Sequence, residues 1–177
     1  KTLWEPAATD KVTKWNQVNP AFPADDIKLY GPGTDSGTFD YFTDQINGED
    51  GASRTDYEPS EDDNVIVQGV SGDKNALGYF GFAYFEENAE ALTAVQVDNG
   101  KGCVSPSAET ARDGSYAPLS RPLYIYIDKK AWASNPALKA FVSVYVENDA
   151  KVAEAAKYIP LSDEQKKTAQ EELTALG

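Results

Sequence analysis

A glycine-containing break between a strand-like and a helix-like segment is the feature that most limits the fold of this chain. Residues 27–30 (Ile-Lys-Leu-Tyr) have the composition of a short strand, and the turn sequence Gly-Pro-Gly follows at 31–33. After the turn, large apolar residues recur at spacings of three and four from Phe39 to Ile46, which predicts a helix ending near Gly48. Strand, glycine turn and helix in this order are typical of chains that alternate β-strands with α-helices.

The rest of the chain also alternates between the two kinds of pattern. Residues 123–127 are the clearest strand, because five β-forming and aromatic residues lie between a proline and an aspartate. We therefore predict an α/β fold with a mixed sheet. The other predicted elements are strands at 76–79 and 93–97, and helices at 61–70, 82–88, 137–148, 150–158 and 163–176.

Composition excludes several classes of function. The chain has 16 Lys and Arg against 29 Asp and Glu, a net charge of −13, so it lacks the basic surface that nucleic-acid binding requires. It has no histidine, which excludes histidine-based triads and histidine-ligated metals. The single cysteine, Cys103, cannot form an internal disulfide or a cysteine-rich zinc site. The chain also has no methionine, from which we expect that Lys1 begins a processed chain or a fragment.

Short motifs with catalytic or cofactor-binding potential are incomplete. The Asp-Ser-Gly sequence at 35–37 matches the nucleophile context of serine proteases, but no histidine is present to accept the proton. The acidic run at 61–63 lacks the spacing of a calcium loop and is typical of a solvated helix start. The glycines at 31–33 complete neither a dinucleotide fingerprint nor a P-loop. We therefore predict no catalytic residue, no metal and no cofactor.

The turn at 31–38 is the one segment whose residues and position suit the binding of a ligand. The first N–H groups of a helix have no internal partner and carry partial positive charge, so the start of the predicted helix is suited to an anion. Ser36 and Thr38 would add hydroxyl donors, and Gly37 would let an oxyanion approach the backbone. The alternative is that Ser36 or Thr38 simply caps the helix.

Few arginines are available to bind an anion through a positive charge. The chain has only three arginines, Arg54, Arg112 and Arg121, and a bidentate clamp on an oxyanion favours arginine. Arg54 follows the predicted anion-binding helix and could fold back toward its start. The alternative for Arg54 is an ion pair with Asp56 or Glu58.

Several segments resemble bacterial phosphate ABC transporter substrate-binding proteins. The segment 29–42 (LYGPGTDSGTFDYF) resembles the part of those proteins that holds their Ser-Gly-Thr phosphate loop. The resemblance covers nearly the whole chain. Further matching segments are GASR at 51–54, SEDDN at 60–64, GVSGDK at 69–74, ALGYFG at 76–81 and PLSRPLYIYI at 118–127.

The resemblance implies a binding protein rather than an enzyme. It would bind inorganic phosphate outside the cytoplasm, in a periplasm or as a cell-surface lipoprotein, and deliver it to the permease subunits of an ABC transporter. Ser36, Gly37 and Thr38 would donate hydrogen bonds to phosphate oxygens. Many family members have an arginine a few residues before Ser-Gly-Thr, whereas this chain has Pro-Gly-Thr-Asp at 32–35, so Arg54 is the candidate clamp.

The resemblance also implies an incomplete clamshell. Residues 1–122 would form the second lobe of a two-lobed, periplasmic-binding-protein type II-like molecule. Residues 123–177 would supply a crossover strand and C-terminal helices that pack on a first lobe. That N-terminal lobe would be missing from this chain or present as a separate chain. We therefore expect weak phosphate binding by the chain alone, because half of the donors and the closure of the clamshell would be absent.

Three alternatives to phosphate binding remain open. The first is a binding protein for another oxyanion, such as sulfate or molybdate. The second is a carboxylate-dependent hydrolase, which would need two acids converging in one cleft. The third is a purely structural or signalling role for the lobe.

Overall fold

The computed structural model describes all of residues 1–177. The chain divides into two compact units, residues 1–94 and residues 95–177. We refer to them as unit 1 and unit 2 and describe each by itself. No helix in either unit combines the length and the apolar character that crossing a membrane requires.

Unit 1 is built around a three-stranded parallel sheet. Its central strand pairs on both sides, with Tyr30 opposite Glu58 on one side and opposite Gly78 on the other. The elements are a 3₁₀ turn Pro6–Ala8, α1 Trp15–Val18, β1 Lys28–Pro32, α2 Gly37–Asn47, β2 Glu58–Ser60, α3 Asp63–Ser71, β3 Ala76–Gly78 and α4 Phe82–Glu87. The strand order in the sheet is β2-β1-β3.

The parallel pairing brings three helix starts to one edge of this sheet. Because the strands run in the same direction, their last residues, Pro32, Ser60 and Gly78, end at the same edge. A helix follows each strand within four residues, so the N-termini of α2, α3 and α4 all begin there. In open parallel sheets the carboxyl edge is where ligands bind.

Aromatic residues form the core of unit 1. Trp4 and Leu29 are both 5% exposed, and the Trp4 ring makes edge-to-face contacts with Phe42, Tyr57 and Tyr79 at centroid distances of 4.9 to 5.7 Å. The rings of Phe42 and Tyr79 stack at 3.8 Å. Since Tyr79 follows β3 and Tyr57 precedes β2, this cluster connects the sheet to α2 and to the N-terminal segment.

Unit 2 is mainly helical. Its core consists of Trp132, Val142 and Val146, which pack with apolar residues of the last helix such as Leu173. A two-stranded antiparallel ribbon precedes the helices. The elements are β4 Val97–Asp98, β5 Cys103–Val104, α5 Ala108–Arg112, α6 Lys129–Ser134, α7 Pro136–Glu147, α8 Asp149–Ala155 and α9 Asp163–Ala175.

The predicted α/β class is confirmed, and the predicted sheet differs in detail. The sheet of unit 1 is entirely parallel, whereas we expected a mixed sheet, and the antiparallel pair forms a separate ribbon in unit 2. Strand β1 also continues through Gly31 and Pro32, where a break was expected. Pro32 is tolerated because it is the last residue of the strand.

The prediction of a strand at 123–127 is wrong, and the strand predicted at 93–97 comprises only Val97–Asp98. Residues 123–127 are irregular, and Tyr124 and Tyr126 are 71% and 93% exposed. A strand exists only where a neighbour pairs with its N–H and C=O groups, and unit 2 offers none to this segment.

Candidate anion-binding site

The loop between β1 and α2 is held firmly at its start. The N–H of Gly33 donates to the carbonyl of Ser60 at 3.2 Å, which continues the pairing of β1 with β2. The hydroxyl of Tyr57 donates to the carbonyl of Pro32 at 2.8 Å. These bonds fix the point at which the chain leaves the sheet, so the loop has a defined starting position.

Ser36 is the N-cap of α2. Its backbone is extended, with φ −101° and ψ 125°, and its Oγ accepts a hydrogen bond from the N–H of Thr38 at 3.2 Å. The N–H of Ser36 donates back to the carbonyl of Gly33 at 3.2 Å, which closes a tight turn. The capping alternative raised by the sequence is therefore what the structure shows for Ser36. Capping leaves the hydroxyl hydrogen available as a donor, because a hydroxyl accepts and donates at once.

The structure brings three of the four predicted site residues together. Ser36, Gly37 and Thr38 are consecutive at the start of α2, an 11-residue helix whose dipole places partial positive charge there. Gly37 and Thr38 are exposed and Ser36 is half-buried. This arrangement can offer two hydroxyls and a helix N-terminus to an oxyanion.

Arg54, the fourth predicted site residue, is bonded to other groups of unit 1. Its Nε and Nη2 donate to the two carboxylate oxygens of Asp56 at 2.6 and 2.7 Å. The remaining N–H groups donate to the carbonyls of Leu3 and Val12 at 3.0 to 3.1 Å. All five N–H groups of the guanidinium are thus used within unit 1, which leaves none for the expected clamp on an anion.

The ion pair of Arg54 with Asp56 is the alternative that the sequence left open. It is more buried than an ordinary surface pair, since the side chains of Arg54 and Asp56 are 3% and 25% exposed. The hydrogen bond from Arg54 lowers the pKa of Asp56 to about 2, against the opposing effect of partial burial. Arg54 therefore ties the N-terminal segment of unit 1 to the chain after α2.

Carboxylates rather than cations flank the loop. Oε1 of Glu61 accepts a hydrogen bond from the N–H of Asp35 at 3.4 Å. The same carboxylate lies so close to Gly33 that a β-carbon at that residue would overlap it. Burial raises the pKa of Asp63, with smaller contributions from the charges of Asp62 and Glu61, while a hydrogen bond from the N–H of Gly81 opposes the rise.

Sequence reasoning missed Tyr57 and Glu61 as neighbours of the loop. Both adjoin β2, which lies within or at the edge of a stretch interpreted as loop and as helix start. Their positions beside the loop follow only from the pairing of β2 with β1. Because these two segments lie far apart in the sequence, no local pattern predicts that pairing.

The other two arginines belong to unit 2. Arg112 donates from Nε to the carbonyl of Pro160 at 3.0 Å and lines a pocket of about 480 Å³ with Glu109, Asp113 and Glu164. Arg121 is exposed and is not without an interaction partner. No group of three or more cysteine, aspartate or glutamate side chains is arranged to hold a metal ion.

Comparison with known families identifies the class of protein. A family model described as a PBP superfamily domain matches residues 5–149. The chain therefore belongs to the PBP superfamily, and the predicted α/β fold of a binding protein is confirmed.

The similar curated proteins include one that is named as a phosphate-binding protein. The chain is 39% identical to the phosphate-binding protein PstS of Staphylococcus saprophyticus over 85% of this chain and 46% of that protein. It is 54% identical to the protein SphX of Synechocystis sp. over 93% of this chain and 49% of that protein. The chain thus spans about half the length of the curated relatives it matches.

Two solved structures are also similar. A possible phosphate binding protein from Planctomyces limnophilus shares 43% identity with a TM-score of 0.88, covering 99% of this chain and 62% of that one. PstS from Borrelia burgdorferi, at 17% identity and a TM-score of 0.58 over 87% of this chain and 60% of that one, shares the fold. The resemblance to phosphate-binding proteins seen in the sequence is confirmed.

Proposed function

We propose that this chain binds inorganic phosphate at the start of α2 and belongs to a protein that delivers phosphate to the permease subunits of an ABC transporter. The observation that carries the proposal is the consecutive Ser36, Gly37 and Thr38 at a helix N-terminus on the carboxyl edge of a parallel sheet. One relative, PstS, is named as a phosphate-binding protein, which supports phosphate as the anion, and we propose a location outside the cytoplasm because the resemblance to the transporter family implies it.

The proposed binding mechanism uses neutral donors. The hydroxyl of Ser36, held in place by its bond with the N–H of Thr38, donates to one phosphate oxygen, and the hydroxyl of Thr38 donates to another. Gly37 has no side chain to keep the anion away from the helix end. The α2 dipole adds about 0.3–1 kcal/mol at an exposed site. Each hydrogen bond to a charged group contributes about 1.5–3 kcal/mol before the cost of association.

These contributions set the expected strength of binding. Two hydroxyls and one helix end contribute about 3–7 kcal/mol before the cost of association, which is about 4 kcal/mol or more, so the chain alone should bind phosphate no more tightly than about 1 mM. Tighter binding in the whole protein would come from a second lobe that closes over the anion and excludes water.

We further propose that residues 1–122 belong to the second lobe and that residues 123–177 pack on a first lobe. The support comes from unit 2, where a strand-like segment and one face of α7 expose large apolar side chains. An apolar surface of this kind on a helical unit is typical of a contact region. The exposed side chains are Leu123, Tyr124, Ile125, Tyr126, Phe141, Val144 and Tyr145.

The proposed role is binding without catalysis. The hydroxyl of Ser36, the only candidate nucleophile that the sequence suggested, interacts with a backbone N–H and not with a base. The family model describes a binding domain, which supports the same conclusion. Neutral donors do not by themselves separate phosphate from sulfate, so the test includes both anions.

Calorimetric titration of the 177-residue chain with inorganic phosphate tests this proposal. We expect a dissociation constant in the millimolar range for the unaltered chain. Thr38→Val removes one donor and should weaken binding at least about fivefold, since a hydrogen bond to a charged group is lost. Thr174→Val, which removes an exposed hydroxyl from α9, is the matched control and should leave binding unchanged. Equal binding by the two variants would contradict the proposal, and stronger binding of sulfate would favour another oxyanion.

A further inference from the structure

The proposed phosphate site has a negatively charged neighbour that belongs to the chain itself. Glu61 is the first residue after β2, and Ser60 at the end of β2 is paired with Pro32 at the end of β1. Parallel pairing therefore places Glu61 beside the loop that follows β1. This position results from the sheet and does not depend on how the loop itself is folded.

The side chain of Glu61 is turned toward the loop. Its Oε1 accepts the N–H of Asp35, the residue directly before the N-cap of α2, at 3.4 Å. Its carboxylate also lies against the backbone of Gly33, where no side chain intervenes. One carboxylate therefore touches the loop at two places, and one of them is an N–H that adjoins the proposed anion ligands.

The groups around Glu61 reinforce its negative charge. Asp35 on the loop, Asp62 at the N-cap of α3 and Asp63 in its first turn are carboxylates. Tyr57, which also lies nearby, is an uncharged phenol at neutral pH and offsets none of this charge. Arg54, the one arginine of unit 1, gives all of its N–H groups to Asp56 and to two carbonyls. The loop is thus bordered by acids, and no arginine offsets them.

We propose that Glu61 sets the affinity of the phosphate site by acting as an internal competitor for the bound anion. Its carboxylate accepts the hydrogen bond of the Asp35 N–H and places a negative charge beside the loop. A bound phosphate is repelled by this charge, which weakens its binding. The proposal rests on the proposed function of the loop and deepens it. Glu61 is not a ligand of phosphate in this account. It is a fixed charge that weakens the binding of any oxyanion at Ser36, Gly37 and Thr38.

The direct test compares phosphate and sulfate binding by charge variants of the 177-residue chain. Glu61→Gln removes the charge and keeps the size of the side chain, and we expect it to bind both anions about threefold to tenfold more tightly. Glu61→Asp keeps the charge and should stay close to the unaltered chain. Glu49→Gln makes the same charge change after the C-terminal end of α2, about 16 Å from the helix start and beyond the screening length in physiological salt. It is the matched control and should have no effect.

The outcomes separate this inference from the proposed function. If Thr38→Val abolishes phosphate binding and Glu61→Gln binds no more tightly than Glu49→Gln, the function stands and the role of Glu61 is overturned. Weaker binding by Glu61→Gln would overturn it too, because Glu61 would then be a ligand. A gain for phosphate without a gain for sulfate would contradict an effect of charge alone. If neither the unaltered chain nor Glu61→Gln binds phosphate in a way that depends on Thr38, the proposed function and the inference both fail.

Discussion

At the scale of the residue, Arg54 shows how one side chain can be assigned to either of two roles. As one of three arginines it was the natural candidate for an anion clamp, yet the structure uses its five N–H groups on Asp56 and on the carbonyls of Leu3 and Val12. A guanidinium that is 3% exposed needs such complete pairing, because an unpaired buried charge is very costly. Arg54 thus stabilises unit 1, and the proposed site at Ser36 would use uncharged donors.

The Arg54–Asp56 pair predicts how stability changes in acid. The pKa of Asp56 is lowered to about 2 from an ordinary value of 3.8, so its contribution is present above about pH 4 and is lost as the pH falls toward 2. Because the carboxylate is partly exposed, we expect Asp56→Asn to lower the free energy of unfolding by about 1–2 kcal/mol at neutral pH. At pH 2 the variant and the unaltered chain should be nearly equal.

Denaturant unfolding at several pH values measures this difference. Asp98→Asn is a useful control, since Asp98 also has a lowered pKa but lies in the exposed ribbon of unit 2 and accepts only backbone N–H groups. A destabilisation by Asp56→Asn that is as large at pH 2 as at pH 7 would show that the ion pair is not its cause.

At the scale of the element, the sequence predicts what local chemistry determines. The start of α2 at Ser36 follows from a capping serine, and its end follows from Gly48, which adopts a left-handed φ of 90°. The helix at 163–175 follows from the capping box of Ser162 and Gln165. Both signals lie within a few residues of the structure that they predict.

Elements that depend on distant partners were not predictable in the same way. Strand β2 contains Pro59 and has little strand character, and it exists because β1 pairs with it at the edge of the sheet. Residues 123–127 have strong strand character and form no strand, because unit 2 provides no neighbouring strand. The helix start at Ser36, where we propose the site, was predictable because its capping signal is local, whereas its neighbour Glu61 was missed because its position depends on the pairing of distant strands.

The unpaired segment 123–127 gives a prediction about its own side chains. Tyr126 is 93% exposed, so Tyr126→Ser should change the free energy of unfolding of the 177-residue chain by less than about 0.5 kcal/mol. In a protein of the full length of the relatives, where we propose that a first lobe covers this segment, the same substitution should cost more than about 1.5 kcal/mol. Thermal unfolding of both proteins measures the contrast, and equal small effects in both would contradict the proposed packing.

At the scale of the whole molecule, negative charge is concentrated in unit 1, which carries the proposed site. Residues 1–94 contain 18 Asp and Glu against 6 Lys and Arg, a net charge of −12, while residues 95–177 contain 11 against 10, a net charge of −1. An anion is held in such a unit only through donors in direct contact, since charges beyond about 8–10 Å are largely screened in physiological salt. In the proposed site, the helix start and the hydroxyls of Ser36 and Thr38 would be donors of this kind.

The most direct test of the central claim is a backbone amide chemical-shift map of the 177-residue chain, recorded by NMR during titration with inorganic phosphate. If phosphate binds at the start of α2, the largest chemical-shift changes should fall on residues 33–38 and saturate in the millimolar range. Smaller changes should follow at Glu61 and at the start of α3. Changes centred on Arg112 and its pocket in unit 2, or saturable binding that leaves residues 33–38 unmoved, would contradict it.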